Sequence, residues 1–159
     1  MNPSIPRWIK ASIGVALMDT AEDMHLKAIV ESVHERTKDF EAAANRAEIR
    51  ITGPATTEPT KGYYIALVDV NVLLMTRPAH AKNAYAAVTF AGGFAEVMAG
   101  PIPVYNMGAE PGDDGQTQYG CLVPRPKRPV SIRDFGQVDP VAKLNQCEIS
   151  ASYMFEWQE

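Results

Sequence analysis

The sequence predicts an α+β fold: a mainly antiparallel β-sheet flanked by two main α-helices, with a long Pro/Gly-rich docking loop. Two segments alternate apolar and polar residues with a period of two, which is typical of half-buried strands, and two others repeat apolar residues at helical spacing. Residues 100–129 contain six of the chain's 12 prolines, a composition common in binding loops. A length of 159 residues favours a single domain over residues 1–159.

The N-terminal part predicts one long helix followed by shorter elements. Apolar residues recur at helical spacing over residues 7–18, Pro6 stands where a first-turn proline is tolerated, and Ser4 can cap the helix. Residues 26–34 fit a strand and residues 38–45 a brief helix. Ala28, Ile29, Val30 and Val33 also fit a continued helix, so both interpretations stay open at this point.

An antiparallel hairpin is predicted over residues 47–76. Its first strand alternates up to Thr52, Gly53-Pro54 opens a polar loop that runs to Lys61-Gly62, and residues 63–76 form the second strand. One face of the second strand is apolar throughout. The opposite face mixes apolar and polar side chains and consists of Ile65, Leu67, Asp69, Asn71, Leu73 and Met75. A solvated surface needs fewer apolar residues than this, so we expect something else to pack there.

A second helix is predicted after Pro78 and ends at Gly100-Pro101. It contains Gly92-Gly93, and each glycine costs roughly 1 kcal/mol relative to alanine inside a helix. We therefore expect these glycines to permit close approach to the sheet or to a neighbouring helix.

The C-terminal part predicts β-structure. Val130 and Ile132 belong to a short strand, and Val138-Asp139-Pro140 marks a turn. Residues 147–158 alternate without interruption and predict a half-buried strand whose core face carries Trp157.

The predicted loop over residues 100–129 combines apolar anchors with charges of both signs. Tyr105 is one of the anchors, which argue against plain disorder. The acidic residues are Glu110, Asp113 and Asp114. The basic residues are Arg125, Lys127 and Arg128. We expect the basic residues of one copy to pair with the acidic residues of a neighbouring copy.

Composition excludes several classes of protein. Net charge is −4 without a Lys/Arg block, which argues against a protein that grips nucleic acid through its phosphates. No apolar run approaches the ~18–20 residues of a membrane span, and we expect no secretory signal. Two cysteines, Cys121 and Cys147, are too few for a disulfide scaffold.

The common catalytic and nucleotide-binding motifs are missing from the sequence. It contains no HExxH, GxSxG, Walker-type or GxGxxG pattern, so we expect no catalytic residue, cofactor or metal ligand. A Cys–His nucleophile would require His80 to lie beside Cys147.

The order of the segments resembles a known class of structural protein. The segments that carry the resemblance are Asn2-Pro3-Ser4-Ile5-Pro6-Arg7-Trp8, Ala47-Glu48-Ile49-Arg50-Ile51-Thr52-Gly53-Pro54, Lys61-Gly62-Tyr63-Tyr64, Val68-Asp69-Val70-Asn71-Val72-Leu73, Ile102-Pro103-Val104-Tyr105, Gly120-Cys121-Leu122 and Phe135-Gly136-Gln137-Val138-Asp139. Together they resemble small virion proteins of tailed bacteriophages, and are most similar to the tail terminator or tail-completion proteins of the neck.

The resemblance implies a homohexameric ring that closes on the last layer of the tail tube and meets the head–tail connector. It implies a protein of the virion, assembled in the host cytoplasm, with DNA passing through the lumen without specific binding. It supplies no catalytic residue and implies no membrane partner. The expected interface residues are Ile65, Leu67, Asp69, Asn71, Leu73, Tyr105, Arg125, Lys127 and Arg128.

Two other functions stay open. Within the same class, the chain could serve as another head–tail connector, tail-tube or baseplate component, because fold arguments do not separate these roles. From a different class, it could be a small α+β enzyme or ligand-binding domain. That function requires a concave pocket with convergent polar groups.

Overall fold

The computed structural model describes residues 1–31, 33–77, 85–106 and 117–159, which form an α+β fold of helices packed on a curled, mixed sheet. The elements in chain order are α1 (Ile5–Asp23), β1 (Lys27–Val30), α2 (Lys38–Ala42), β2 (Asn45–Thr60), β3 (Tyr63–Thr76), α3 (Ala86–Met98), β4 (Ile102–Tyr105), β5 (Gln118–Pro124), β6 (Ser131–Asp139) and β7 (Leu144–Gln158). Of the helices in these ranges, none combines the length and apolar character needed to cross a bilayer.

The strand order is β1-β2-β3-β7-β5-β4. β1 pairs parallel with β2, and the other pairs are antiparallel. One edge of β7 pairs with β3 along nearly its whole length. The other edge pairs with β6 over residues 144–150 and with β5 at Tyr153 and Met154. Consequently β1 and β6 lie at opposite margins of the sheet.

The core lies between one face of the sheet and the two long helices. The fully buried stripe of α1 consists of Ile5, Ile9, Ile13 and Leu17. The buried residues of α3 are Ala87, Ala91, Phe94 and Met98. From the sheet, the buried Tyr153 contacts α3, where its hydroxyl donates a hydrogen bond to the Met98 carbonyl at 2.7 Å. Both predicted long helices are confirmed; α1 extends further at each end than predicted.

The glycines of α3 behave differently from one another. A Cβ on Gly93 would lie 2.6 Å from Met24 Sδ, just after α1, whereas a Cβ on Gly92 would meet no atom within 4 Å. The predicted close approach therefore holds at Gly93 alone. Residues 78–84, including the predicted helix start at Pro78, lie outside the described residues.

The segment after α1 forms a strand, β1, rather than a continued helix, and this strand is shorter than the one predicted over residues 26–34. β1 ends at Val30 because the chain turns there: the backbone amides of Val33 and His34 both donate to the Val30 carbonyl. Thr37 then caps α2, its hydroxyl accepting from the Phe40 amide at 3.2 Å. The brief helix is confirmed, although it ends at Ala42 rather than at residue 45.

The predicted polar loop after Gly53-Pro54 is wrong, because β2 continues to Thr60. The register shifts between Thr52 and Ala55, after which Ala55 and Thr57 pair with Leu67 and Ile65. Gly53 makes the shift possible with φ of 98°, and a Cβ there would lie 2.9 Å from the Leu67 carbonyl oxygen. The Gly-Pro pair marks a bulge inside the strand rather than its end.

The predicted continuous loop over residues 100–129 is also wrong in its described part, which contains β4 and β5 paired with each other. Ile102, Val104 and Leu122 are buried and supply the alternation that a strand needs. Pro103 is tolerated because β4 lies at the end of the strand order. Residues 107–116 of the predicted loop lie outside the described residues.

The C-terminal hairpin is longer than the short strand predicted around Val130 and Ile132. β6 runs from Ser131 to Asp139, with irregular register on each side of Gly136. The predicted turn is confirmed: the Asp139 carboxylate accepts hydrogen bonds from the amides of Val141 and Ala142, each at 3.0 Å.

Candidate subunit interface

The face of the sheet opposite the helices, here called the outer face, carries most of the interface residues predicted from the sequence. Side chains alternate along β3, so its buried residues from Ala66 to Leu74 point to the core. The intervening residues are half-buried or exposed on the outer face: Ile65, Leu67, Asp69, Asn71 and Leu73. The structure therefore brings these five together; their role in assembly stays a prediction.

The polar centre of the outer face is hydrogen-bonded across β3 and β7. The Ser150 hydroxyl donates to Asn71 Oδ1 at 2.7 Å, and the Ser152 hydroxyl donates to Asp69 Oδ1. Arg128 Nη1 lies 4.0 Å from Asp69 Oδ1. Arg128 is thereby brought to the same face as the five β3 residues.

An apolar row crosses the outer face beside this centre. Leu67 pairs with Met154 of β7, and Met154 pairs with Val123 of β5. Val123 is 52% exposed, and Leu67 and Met154 are half-buried. Sequence reasoning did not select Met154 or Val123, although the alternation of β7 already places Met154 opposite the core face.

At the other end of the outer face, charges are paired within the chain. The Glu48 side chain is only 6% exposed and makes an ion pair with Arg36, with Arg50 Nη2 at 3.8 Å. Two guanidinium groups compensate this nearly buried carboxylate. The groove beside it holds about 200 Å³ and is lined by Glu48, Arg50, Asn71, Leu73, Gln146 and Glu148.

The remaining predicted interface residues lie on β4 and in the turn after β5, where the Arg125 amide donates to the Ser152 carbonyl of β7 at 2.9 Å. Tyr105 is half-buried on β4, and its amide donates to the Ser12 hydroxyl of α1 at 3.0 Å. Arg125 and Arg128 close a turn after β5 through the Arg128 amide and the Arg125 carbonyl, with Lys127 exposed between them. The acidic residues expected to pair with them, Glu110, Asp113 and Asp114, lie outside the described residues.

Sequence reasoning missed the exposure of the β6–β7 hairpin. Every residue of β6 is exposed. The large apolar residues of the hairpin that reach solvent are Ile132 (44%), Phe135 (37%), Val138 (45%) and Val141 (95%). They recur every third residue, whereas a half-buried strand has a period of two and a helix a period of 3.6. This departure from both periods was the sequence signal for an exposed hairpin.

A second missed feature is a groove of about 650 Å³ between α1 and the end of β1, here called the α1–β1 groove. The larger apolar residues of its lining are Val15, Met18, Val30, Val33 and Ile51. Val15 and Val33 are 48% and 72% exposed. The sequence signal for this groove was that Val15 and Met18 are apolar although they lie beside the buried stripe of α1 rather than on it.

The thiols give little support to a nucleophilic site. Burial, and secondarily the charge of Asp134, raises the pKa of the Cys147 thiol, which disfavours the reactive thiolate. His80, the proposed partner, lies outside the described residues. Within the ranges that the structure describes, no group of three or more His, Cys, Asp or Glu side chains is placed to hold a metal ion.

The two thiols should react at very different rates. Cys121 is exposed and Cys147 is buried, so we expect one fast equivalent of a thiol reagent per native chain and a second only after denaturation. A Cys147→Ser variant should keep the fast equivalent, and a Cys121→Ser variant should lose it. Fast native labelling of Cys147 would contradict its placement and would favour an enzyme.

Comparison with known proteins bears on the fold alone. No family model and no curated protein matches the chain. Chains of solved structures do match; one, a protein whose name describes no activity, covers 96% of this chain and 96% of its own length with a TM-score of 0.56 and 16% sequence identity. At that identity the likeness supports the arrangement of helices and strands described above and says nothing about activity.

Proposed function

We propose that this chain is a virion structural subunit of a tailed bacteriophage, of the tail terminator or tail-completion type, which assembles into a homohexameric ring at the neck. The observation that carries the proposal is the apolar surface left open on a single copy. β6 is exposed along all nine residues, and the row from Leu67 to Val123 crosses the outer face. Exposed apolar surface of this kind is typical of proteins that bind other subunits.

In this proposal the outer face and the segment around residues 100–129 bind different neighbours. The outer face contacts an adjacent copy in the ring. Tyr105 and the turn with Arg125 and Lys127 dock on the tail tube protein or on the head–tail connector. The net charge of −4 favours a lumen through which DNA passes without binding.

Light scattering on the size-exclusion eluate, followed by negative-stain electron microscopy, tests the proposal. We expect rings from the purified chain and decoration of the ends of isolated tail tubes. A species that stays a single chain at the highest attainable concentration would contradict it.

Asp69→Lys should damage assembly while leaving the fold intact. The Asp69 side chain is 53% exposed, so losing its contacts with Arg128 and with the Ser152 hydroxyl should cost only about 1–2 kcal/mol of unfolding free energy. The new positive charge would face a neighbouring copy beside Arg128 and weaken association. Glu96→Lys, an exposed charge reversal on α3 at the other side of the sheet, is the matched control. Equal assembly by both variants, measured by light scattering, would exclude Asp69 from the interface.

A ligand-binding domain is the second candidate, and the α1–β1 groove favours it. The groove is large enough for a small molecule and mostly apolar, and a few charged side chains stand at its rim. Titration with a fluorescent fatty acid tests this candidate: saturable binding that Val15→Glu abolishes would support it.

A further inference from the structure

The α1–β1 groove has a charge pattern as well as an apolar lining. Arg7 and Lys10 stand near the start of α1 and Asp19 near its end, while Glu31 after β1 makes an ion pair with Arg50. Lys10 and Asp19 are nine residues apart, which is about 14 Å along a helix. The groove therefore has a basic end and an acidic end on either side of the exposed Val15.

The tip of the β6–β7 hairpin has the complementary pattern. Pro140, Val141 and Ala142 form an apolar turn, with Asp139 on the β6 side and Lys143 on the β7 side. Val141 is 95% exposed, the highest exposure among the large apolar residues described. Paired strands lie about 5 Å apart, so the backbones at Asp139 and Lys143 are close together. The long, flexible lysine side chain increases the distance between the two charges toward the distance between the two charged ends of the groove.

We propose that the hairpin tip of one copy inserts into the α1–β1 groove of the next copy, with Val141 against Val15 and Val33. Asp139 then faces Arg7 and Lys10, and Lys143 faces the acidic end. This inference rests on the proposed function and adds a second contact between adjacent copies of the proposed ring, beside the contact of the outer face.

The positions of the two surfaces in the sheet explain why a second copy supplies the partner. The groove lies at the β1 margin and the hairpin at the β6 margin, with β2, β3 and β7 between them. One chain cannot bring its own tip to its own groove. Contact between two different patches is head-to-tail, and repetition of such a contact generates a ring when the rotation closes.

The test uses full-length chains carrying one change each. Val141→Glu places a charge at the tip, and Val15→Glu places one in the groove; both positions are exposed enough that folding is expected to survive. Val88→Glu, at a valine of α3 with 40% exposure, is the matched control. Circular dichroism and thermal melting verify the fold of each variant, and light scattering measures association.

We expect wild type and Val88→Glu to assemble equally, and each of the other variants to associate at least about tenfold more weakly. Mixing is decisive, because Val15→Glu retains a working tip and Val141→Glu a working groove. The equimolar mixture should associate more strongly than either variant alone, because it restores one complete tip-to-groove contact between two chains.

Three results would overturn the inference. Wild-type assembly that neither variant weakens would place the ring contacts elsewhere and leave the proposed function standing. Loss of assembly in Val15→Glu but not in Val141→Glu would indicate groove-to-groove contact or a small-molecule site. A wild-type chain that never associates would end both this inference and the proposed function.

Discussion

Trp157→Ala is expected to lower the free energy of unfolding by about 3–5 kcal/mol. Trp157 is 6% exposed on the core side of β7 and lies directly opposite Tyr64 of β3, with 5.2 Å between the ring centroids. Phe155 contacts it on the same strand at 5.8 Å. Removing the indole leaves a cavity bordered by two aromatic rings that cannot close it. Urea denaturation monitored by far-ultraviolet circular dichroism measures the loss.

The comparison with Asp69→Lys makes this result informative about the two faces of the sheet. Trp157 lies on the core face and Asp69 on the outer face, so the first change should reduce stability and the second should reduce association. If both variants lost the same unfolding free energy, our assignment of the faces would be wrong.

Gly53→Ala is expected to destabilise the fold by about 2–4 kcal/mol. A φ of 98° is strained for a residue with a Cβ, and that Cβ would lie 2.9 Å from the Leu67 carbonyl oxygen and 3.1 Å from the Ala55 amide nitrogen. Both contacts are with backbone atoms, which cannot rotate away. The melting temperature and the urea midpoint should both fall.

Gly92→Ala is the matched control, since the same methyl group is added where nothing lies within 4 Å. Inside α3 this change should raise the unfolding free energy by about 1 kcal/mol through helix propensity. A destabilising effect at Gly92 as large as that at Gly53 would show that the bulge geometry is not the cause.

Elements with regular periodicity could be predicted from the sequence, because burial on one side imposes it. The stripe of α1 and the alternation of β7 each follow from packing against a single core, and both were found within a few residues of their observed bounds. The five outer-face residues of β3 were likewise grouped correctly, since alternation alone decides which side of a sheet they share.

The parts that failed depend on contacts between distant segments. Gly53-Pro54 has the composition of a turn, yet pairing with β3 extends β2 beyond it, and only the register reveals this. The α1–β1 groove brings together Val15 of α1, Val33 of the turn after β1 and Ile51 of β2, so no local sequence pattern indicates it. The exposure of β6 depends on which strands pair with the two edges of β7. Sequence alone did not specify which strands would lie at the edges of the sheet.

The open margin at β6 also has a consequence for the subunit before it is incorporated. Within the described ranges β6 pairs only with β7, so its outward amide and carbonyl groups can template non-native strand stacking and aggregation. Arg133 and Asp134, in the middle of the strand, oppose such stacking because identical charges would be forced into register. Neutralising both should leave a protein that precipitates on storage, even where its melting temperature is unchanged.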